Sequence, residues 1–442
     1  MALRRFLTRV GREAARDVHA RELLRGSAVA MVVKVLAAGA AFLMNVALAR
    51  KLGAAETGLF QLAYPVLVLV AVFSRMGLDG TLTRFIAGEW AAGNRGAVIT
   101  IYRNAVLWVS FLALTCGGLL YAGAPWIGAH LFKQQGLAPV MAVLALAVPV
   151  LALSVLHSQA LQGLKRVAQS MTVLNVAIPL IFLFALLALP SPTAVQAAWL
   201  YLGAAVLTLV LGYAWWRAAA PYGETRLPFS RSQMIASCVP LWGVTLLAQV
   251  VQWSSQLLLG GWGSAADVAL FASALRTAML TSFVLIAVNS IAAPKFAAMH
   301  RTGDLEGLRR TAMFSLRLML LGAVPVLVFM LLMPEWLMGL FGPEFIPAAP
   351  ALQILAVGQF VNIATGTVGS LLSMSGNEKL LRANVLIAAL LGVGLGVVLI
   401  GPFGITGAAI ATAIAVAAQN LLGVLQVKRA LGFNTMAFWR KS

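Results

Sequence analysis

Acidic residues are scarce in this chain: 13 Asp and Glu stand against 32 Lys and Arg in 442 residues, and only 10% of positions carry charge. So little charge cannot clothe a water-soluble surface of that size, and it leaves almost nothing from which to build a paired acidic constellation. The two cysteines, Cys116 and Cys238, lie in apolar runs of different halves and support no disulfide framework. Four histidines, His19, His130, His157 and His300, fall at no metal-ligand spacing, so no metal and no cofactor is expected. There is no nucleophile elbow and no glycine loop to cradle phosphate. These absences speak against an enzyme.

What the chain has instead is hydrophobicity, with 61% apolar residues and a mean hydropathy of +0.92. The apolar residues come in runs of about 20, the length a helix needs to cross roughly 30 Å of hydrocarbon. Twelve such runs are placed at 27–49, 59–78, 97–120, 138–161, 170–189, 195–216, 234–259, 268–292, 311–333, 350–373, 381–400 and 404–427. They are too long for barrel strands and show no alternation, so the fold class expected is an all-α membrane protein.

Lys and Arg are retained on the cytoplasmic side during insertion. With the N-terminus inside, 26 of the 32 basic residues fall on one face of the twelve-span topology. The opposite face holds Arg50, Lys51 and Lys133, while Lys34, Arg276 and Arg317 lie within spans. Both termini are therefore expected in the cytoplasm. The formal charge of +19 is absorbed by this bias, so no nucleic-acid partner is expected. In residues 1–26, Leu3, Leu7 and Val10 share a helical face ringed by arginines, which reads either as an interfacial helix on anionic membrane lipids or as a basic tail that fixes topology. No cleaved signal peptide is expected.

The chain repeats itself. A shift of 211 residues brings Phe60 onto Phe271, Glu56 onto Asp267, Phe85 onto Phe296, Asn45 onto Gln256 and Arg84 onto Lys295. Polar positions coincide as well as apolar ones, which points to duplication. The organisation expected is a basic segment at 1–26, a six-helix lobe at 27–216, a linker at 217–233, a second lobe at 234–427 and a tail at 428–442. Each half has an even number of spans, so the lobes should be related by a pseudo-two-fold axis along the membrane normal and enclose a cavity between them.

The loop Gly77-Leu78-Asp79-Gly80-Thr81-Leu82-Thr83-Arg84-Phe85-Ile86-Ala87, the run Leu340-Phe341-Gly342-Pro343-Glu344-Phe345, Ser375-Gly376-Asn377, and Gly401 to Ala411 occur in an order and spacing with a familiar look. They resemble the polysaccharide flippases of the multidrug/oligosaccharidyl-lipid/polysaccharide exporter (MOP) superfamily, across nearly the whole chain. That resemblance implies a MATE-like fold and translocation of an undecaprenyl-diphosphate-linked oligosaccharide across the bacterial inner membrane for cell-surface polysaccharide synthesis, including lipopolysaccharide or exopolysaccharide. It also implies polysaccharide assembly proteins as partners. The related lipid II flippases usually have two further helices, which this chain lacks, and place basic residues in helices one and eight.

A flippase must lower the cost of drawing a diphosphate and sugars through hydrocarbon, which calls for fixed positive charge near mid-membrane. Lys34 in span one and Arg276 in span eight are the candidates, because an idle lipid-facing cation costs about 2.5–3.5 kcal/mol at a helix centre. Lys34 could instead snorkel to the interface; Arg276, about nine residues or roughly 14 Å inside its helix, is harder to read that way, and its fork suits a diphosphate. Sugar hydroxyls want neutral partners, and Gln249, Gln252 and Gln256 share one face of span seven, with Asn45 in span one. Interhelical hydrogen bonding is the alternative use of all four. Ser154, His157, Ser158, Gln159, Gln353, Gln359, Asn362 and Thr365 carry the same two readings, and Pro65, Pro149, Pro179, Pro240 and Pro325 are either hinges or simple bends.

The rival reading is a cation-coupled multidrug exporter of the same superfamily. Such a protein wants a carboxylate deep in a span, and Glu56, Asp267, Glu335, Glu344 and Asp79 all fall near span ends. Asp79, between Arg75 and Arg84, is expected to form an ion pair or a cap. A glycan polymerase or ligase would need a sizeable outer loop, and the longest one, 121–137, offers only His130 and Lys133.

Overall fold

The computed structural model describes residues 18–221 and 229–436, and among them the chain is helical with no strand. Much of the basic segment expected at 1–26, part of the linker and the end of the tail lie outside the described residues. Nine described helices are long and apolar enough to cross a membrane. Two of these are hairpins: Val18–Ser74 breaks at Gly53 and Glu378–Leu431 at Gly404, both with positive φ. Asn45 and Gln61 hydrogen-bond at 2.9 Å, whereas a straight helix would hold them about 24 Å apart. Likewise Asn384 and Gln426 exchange two bonds of 2.8 Å across 42 residues. With Arg231–Trp262 in the place of the seventh span, the arrangement is consistent with twelve crossings.

The elements are numbered α1 (18–52), α2 (54–74), α3 (Leu78–Ala91), α4 (Arg95–Trp126), α5 (Leu137–Gly163), α6 (Val167–Leu187), α7 (Ala194–Ala219), α8 (Arg231–Trp262), α9 (Ala265–Ala278), α10 (Ser282–Arg301), α11 (Leu305–Leu332), α12 (Pro334–Gly339), α13 (Ala349–Ala364), α14 (Val368–Met374), α15 (378–403) and α16 (405–431). The loops expected between spans one and two and between spans eleven and twelve shrink to single glycine kinks, because only glycine adopts those dihedrals cheaply. The expected eighth span is likewise two helices, with a 3-10 turn at Met279–Thr281 between them. The tenth breaks at Gly366, where φ is +77.

Within the first lobe small residues let backbones approach. A β-carbon on Gly117 would sit 2.9 Å from the carbonyl oxygen of Ala145, so α4 lies directly on α5. Of the polar residues noted in spans four and ten, several are spent on contacts with other helices: Ser158 bonds Ser170, His157 pairs with Tyr102, Thr83 donates to Gln159, and Gln353 donates to the Leu331 carbonyl. Replacing Asn384 by alanine should strip the Gln426 amide of both its bonds inside the bundle. Bonds of this kind contribute about 0.6 kcal/mol each in membranes, so the expected result is a drop of a few degrees in the melting temperature in detergent, with the fold retained.

The acidic residues sit at helix ends. Asp79 pairs with Arg75 at 2.8 Å in the first turn of α3, as the sequence leads one to expect. Glu56 accepts from the Ala194 amide at 2.6 Å and Asp267 completes a capping box with Ser264, so these carboxylates satisfy orphan N–H groups at helix starts.

Two contacts of this kind cross between the lobes. The Glu344 carboxylate accepts from the Ala54 amide at 2.7 Å, at the start of α2. The Gln134 side chain accepts from the Ala265 amide at 3.2 Å, at the start of α9, and donates to the Gly263 carbonyl at 2.8 Å. Ala54 and Ala265 are 211 residues apart, so each lobe caps the other at equivalent positions. Beside them Gly58 packs so tightly that an added β-carbon would overlap the Ala265 carbonyl oxygen. At the other, basic end, Arg84 donates to Ser237 at 2.8 Å and Trp242 donates to the Phe73 carbonyl at 3.1 Å.

Candidate functional site

Between these two sets of contacts lies a cavity of about 270 Å³. Its wall comes from α1 (Met44, Asn45), α2 (Phe60, Gln61, Tyr64), α5 (Leu151), α6 (Leu174, Ile178, Pro179) and α7 (Tyr201), and it is closed from the second lobe by Trp253 on α8 and Arg276 on α9. No Asp or Glu lines it among the described residues.

Arg276 is half-buried and occupies the last turn of α9, just before the break at Met279. The carbonyl end of a helix carries partial negative charge, which favours a cation there by about 0.3–1 kcal/mol. An interrupted span of this kind is how membrane proteins turn polar groups towards a site without exposing backbone to lipid. The guanidinium therefore stands at the lobe boundary as the single charged group on the cavity wall among the described residues.

Aromatic rings make up much of the remaining wall. Tyr64 lies edge-on to Tyr201 at 5.6 Å and to Trp253 at 5.9 Å, and Phe60 stacks on Phe182 at 5.7 Å. Rings held by one another keep their faces fixed, and such faces suit the apolar side of a sugar ring as well as a cation. None of these rings stands out in the sequence as a site residue, and Phe60 is noted there only as a repeat position. Their one distinguishing signal is that Phe60 and Tyr64 are one helical turn apart in the same half-helix as Gln61.

The amide candidates divide. Asn45 and Gln61 both line the cavity and form a chain in which Gln61 Nε2 donates to Asn45 Oδ1 and Asn45 Nδ2 donates to the Ala41 carbonyl at 2.6 Å. Gln256 is buried and donates to the backbone carbonyl of Gln61, which ties α8 to α2 across the lobe boundary. Gln249 accepts from the Trp253 indole at 3.1 Å and so orients one of the aromatic walls. Gln252 opens on a different cavity, of about 180 Å³ inside the second lobe, alongside Ser255, Gln359 and Thr412. The shared helical face expected of the three glutamines thus straddles a partition: Arg276 borders the first cavity, and its neighbours Leu275 and Met279 border the second.

Lys34 stands exposed on α1 beside exposed Val35 and Leu36, about 16 Å along the helix from Asn45, and does not line the cavity. The sequence brought the two cations together by analogy of position, and the structure separates them along the helix axis.

Comparisons with known proteins agree with this architecture. The probable low-salt glycan biosynthesis flippase Agl15 of Haloferax volcanii is 24% identical over 403 residues, 91% of this chain and 82% of its own. An inward-facing multidrug resistance MATE family transporter of the MOP superfamily superposes with a TM-score of 0.75 at 16% identity, over 91% of this chain and 98% of its own. The lipid II flippase MurJ, in an inward closed conformation, superposes with a TM-score of 0.70 at 12% identity, over 90% and 87% of the two chains. The MatE family profile matches residues 240–399. The profile of the polysaccharide biosynthesis protein family matches residues 23–300, well over half the sequence, and this chain belongs to that family.

Proposed function

We propose that the protein moves a polyprenyl-diphosphate-linked oligosaccharide, with undecaprenol as the carrier expected in a bacterium, from the cytoplasmic to the opposite leaflet for surface polysaccharide assembly. The observation that carries this reading is Arg276 on the wall of an inter-lobe cavity that no acid lines and aromatic rings flank. A diphosphate leaves water at a cost that a fixed guanidinium offsets with bidentate, charge-assisted bonds. Sugar rings find stacking faces on Tyr64 and Trp253. Lys34, exposed on α1 towards the basic end and off the cavity wall, would act outside the cavity, on the headgroup's approach.

The cavity is small. Ligand sites of about 300–1,000 Å³ are usual, and 270 Å³ holds roughly one sugar with a phosphate. A longer glycan needs the lobes to part, which is the motion alternating access requires. Similar proteins include both a glycan flippase and a multidrug transporter, and electrostatics favour the first for this chain: a cation on the cavity wall repels cationic drugs and attracts phosphate. A lipid II flippase role uses the same charge logic, with a different sugar.

The test is reconstitution in proteoliposomes with two cargoes. N-acetylglucosaminyl-diphospho-undecaprenol should become accessible to an impermeant lectin on the far leaflet at a protein-dependent rate, and ethidium should not move. Ethidium transport without movement of the lipid would replace this reading with the exporter.

A further inference from the structure

The cavity inside the second lobe is the first one repeated. Ser255, Leu275 and Thr412 on its wall stand 211 residues after Met44, Tyr64 and Tyr201 on the wall of the first, which is the spacing of the internal duplication. Both six-helix units therefore open a hollow at the same place, and the two have diverged in what lines them. Where the first presents the rings of Tyr64 and Tyr201, the second presents Leu275 and Thr412. The repeat counterpart of Arg276 is Pro65, and no charged residue lines the second cavity among the described residues.

Two amides in this second cavity are unengaged. Ser255 and Thr412 bond each other at 2.9 Å, and the Gln359 oxygen accepts from Ser282 and Asn362, both at 3.1 Å. Gln252 on α8 and Gln419 on α16 line the same cavity, and neither side chain makes a hydrogen bond among the described residues. Gln252 is exposed and Gln419 half-buried, so a ligand can reach both. Each amide offers two N–H donors and a carbonyl acceptor. The wall around them is apolar, with Leu275, Met279 and Val416. Neutral donors and acceptors converging over apolar surface suit a ring that bears hydroxyls, which is an uncharged sugar. A hard cation calls for carboxylates and an acidic sugar for a positive charge, and this wall supplies neither.

The two cavities lie back to back. Trp253 borders the first and its neighbour Gln252 the second; Arg276 borders the first and its neighbour Leu275 the second. The partition is thus a single layer of helix, about 10 Å thick. We propose that the second-lobe cavity is a subsite for a neutral sugar further along the glycan, hydrogen-bonded by Gln252 and Gln419, while Arg276 holds the diphosphate at the first. The inference rests on the anionic-cargo reading and extends it to the part of the cargo for which the first cavity has no room.

The experiment measures equilibrium binding of two probes to the full chain in nanodiscs: N-acetylglucosaminyl-diphospho-undecaprenol and its counterpart carrying three N-acetylglucosamine units. Wild type should bind the longer glycan about tenfold more tightly, the gain expected of two neutral hydrogen bonds. Gln252→Met combined with Gln419→Met keeps the side-chain volumes and removes the polar atoms; this double variant should lose the gain and bind the monosaccharide lipid as wild type does. Binding of the monosaccharide lipid reports that the variant is folded. A second measurement leaves both amides in place: Val416→Cys, in a background lacking Cys116 and Cys238, sets a thiol on the same wall, and the longer glycan should protect it from a maleimide where the monosaccharide lipid does not. A double variant that keeps the full gain, or a thiol that reacts equally fast with either lipid bound, overturns the assignment and makes the partners of the amides ordinary waters. Equal affinity of wild type for both lipids overturns this inference alone. Failure of wild type to bind either lipid overturns the anionic-cargo reading and this inference with it.

Discussion

Replacing Arg276 by alanine is expected to abolish appearance of the lipid-linked glycan on the far leaflet, with normal amounts of the protein in the membrane. The guanidinium is the only charge on the cavity wall among the described residues, and two charge-assisted bonds to a phosphate contribute about 1.5–3 kcal/mol each. Losing both lowers the transport rate by about 100-fold or more. Arg276→Lys keeps the charge as a single point donor and should recover part of that loss, whereas Arg276→Gln, which keeps hydrogen bonding without charge, should not. The fold does not depend on this side chain, because α9 is held by Val268, Phe271 and Ala274, all buried. Transport at the wild-type rate in Arg276→Ala, with protein levels matched, would remove the residue from the mechanism.

An effect of similar size is expected at Gly58, which does not itself line the cavity. A side chain there has no room against the Ala265 backbone, and backbone cannot yield as a flexible side chain can. Alanine in place of a helical glycine ordinarily stabilises the helix by about 1 kcal/mol, so any harm done by Gly58→Ala must come from the lobe contact. Gly58→Leu should prevent the lobes from meeting at this end and reduce transport to background. Spin labels at exposed Ser191 and Glu335, one in each lobe, in a background lacking Cys116 and Cys238, measure the separation directly. The expected result is a shift of the whole distance distribution to longer values in Gly58→Leu. An unshifted distribution would mean that the contact carries no part of the closed arrangement.

The helical fold was legible because hydropathy acts over 20 residues at a time, and no single side chain can conceal it. The duplication was legible because Asn45 and Gln256, or Glu56 and Asp267, kept polar character at matching positions. Arg276 stood out as a charge deep within its span. The kinks were not legible: Gly53 and Gly404 are two among 40 glycines, and only a backbone trace shows which have positive φ. The parting of Gln249, Gln252 and Gln256, of which only Gln252 opens on a cavity while the other two are spent on Trp253 and the Gln61 backbone, was hidden for a related reason. Helical spacing gives the direction in which a side chain leaves its own helix, but not what the neighbouring helices leave open there. Gln419 was passed over because an unmet hydrogen bond is a property of the surroundings and leaves no mark in composition.

The crossed caps at Ala54 and Ala265 also bear on ancestry. In a two-fold dimer of half-length chains, one loop residue would have met its partner's helix start twice over, by symmetry. Fusion into one polypeptide released the copies from identity, and one arm now ends in Glu344 and the other in Gln134. One helix start is therefore held by a carboxylate and its counterpart by a neutral amide, an asymmetry that no homodimeric forerunner could have had.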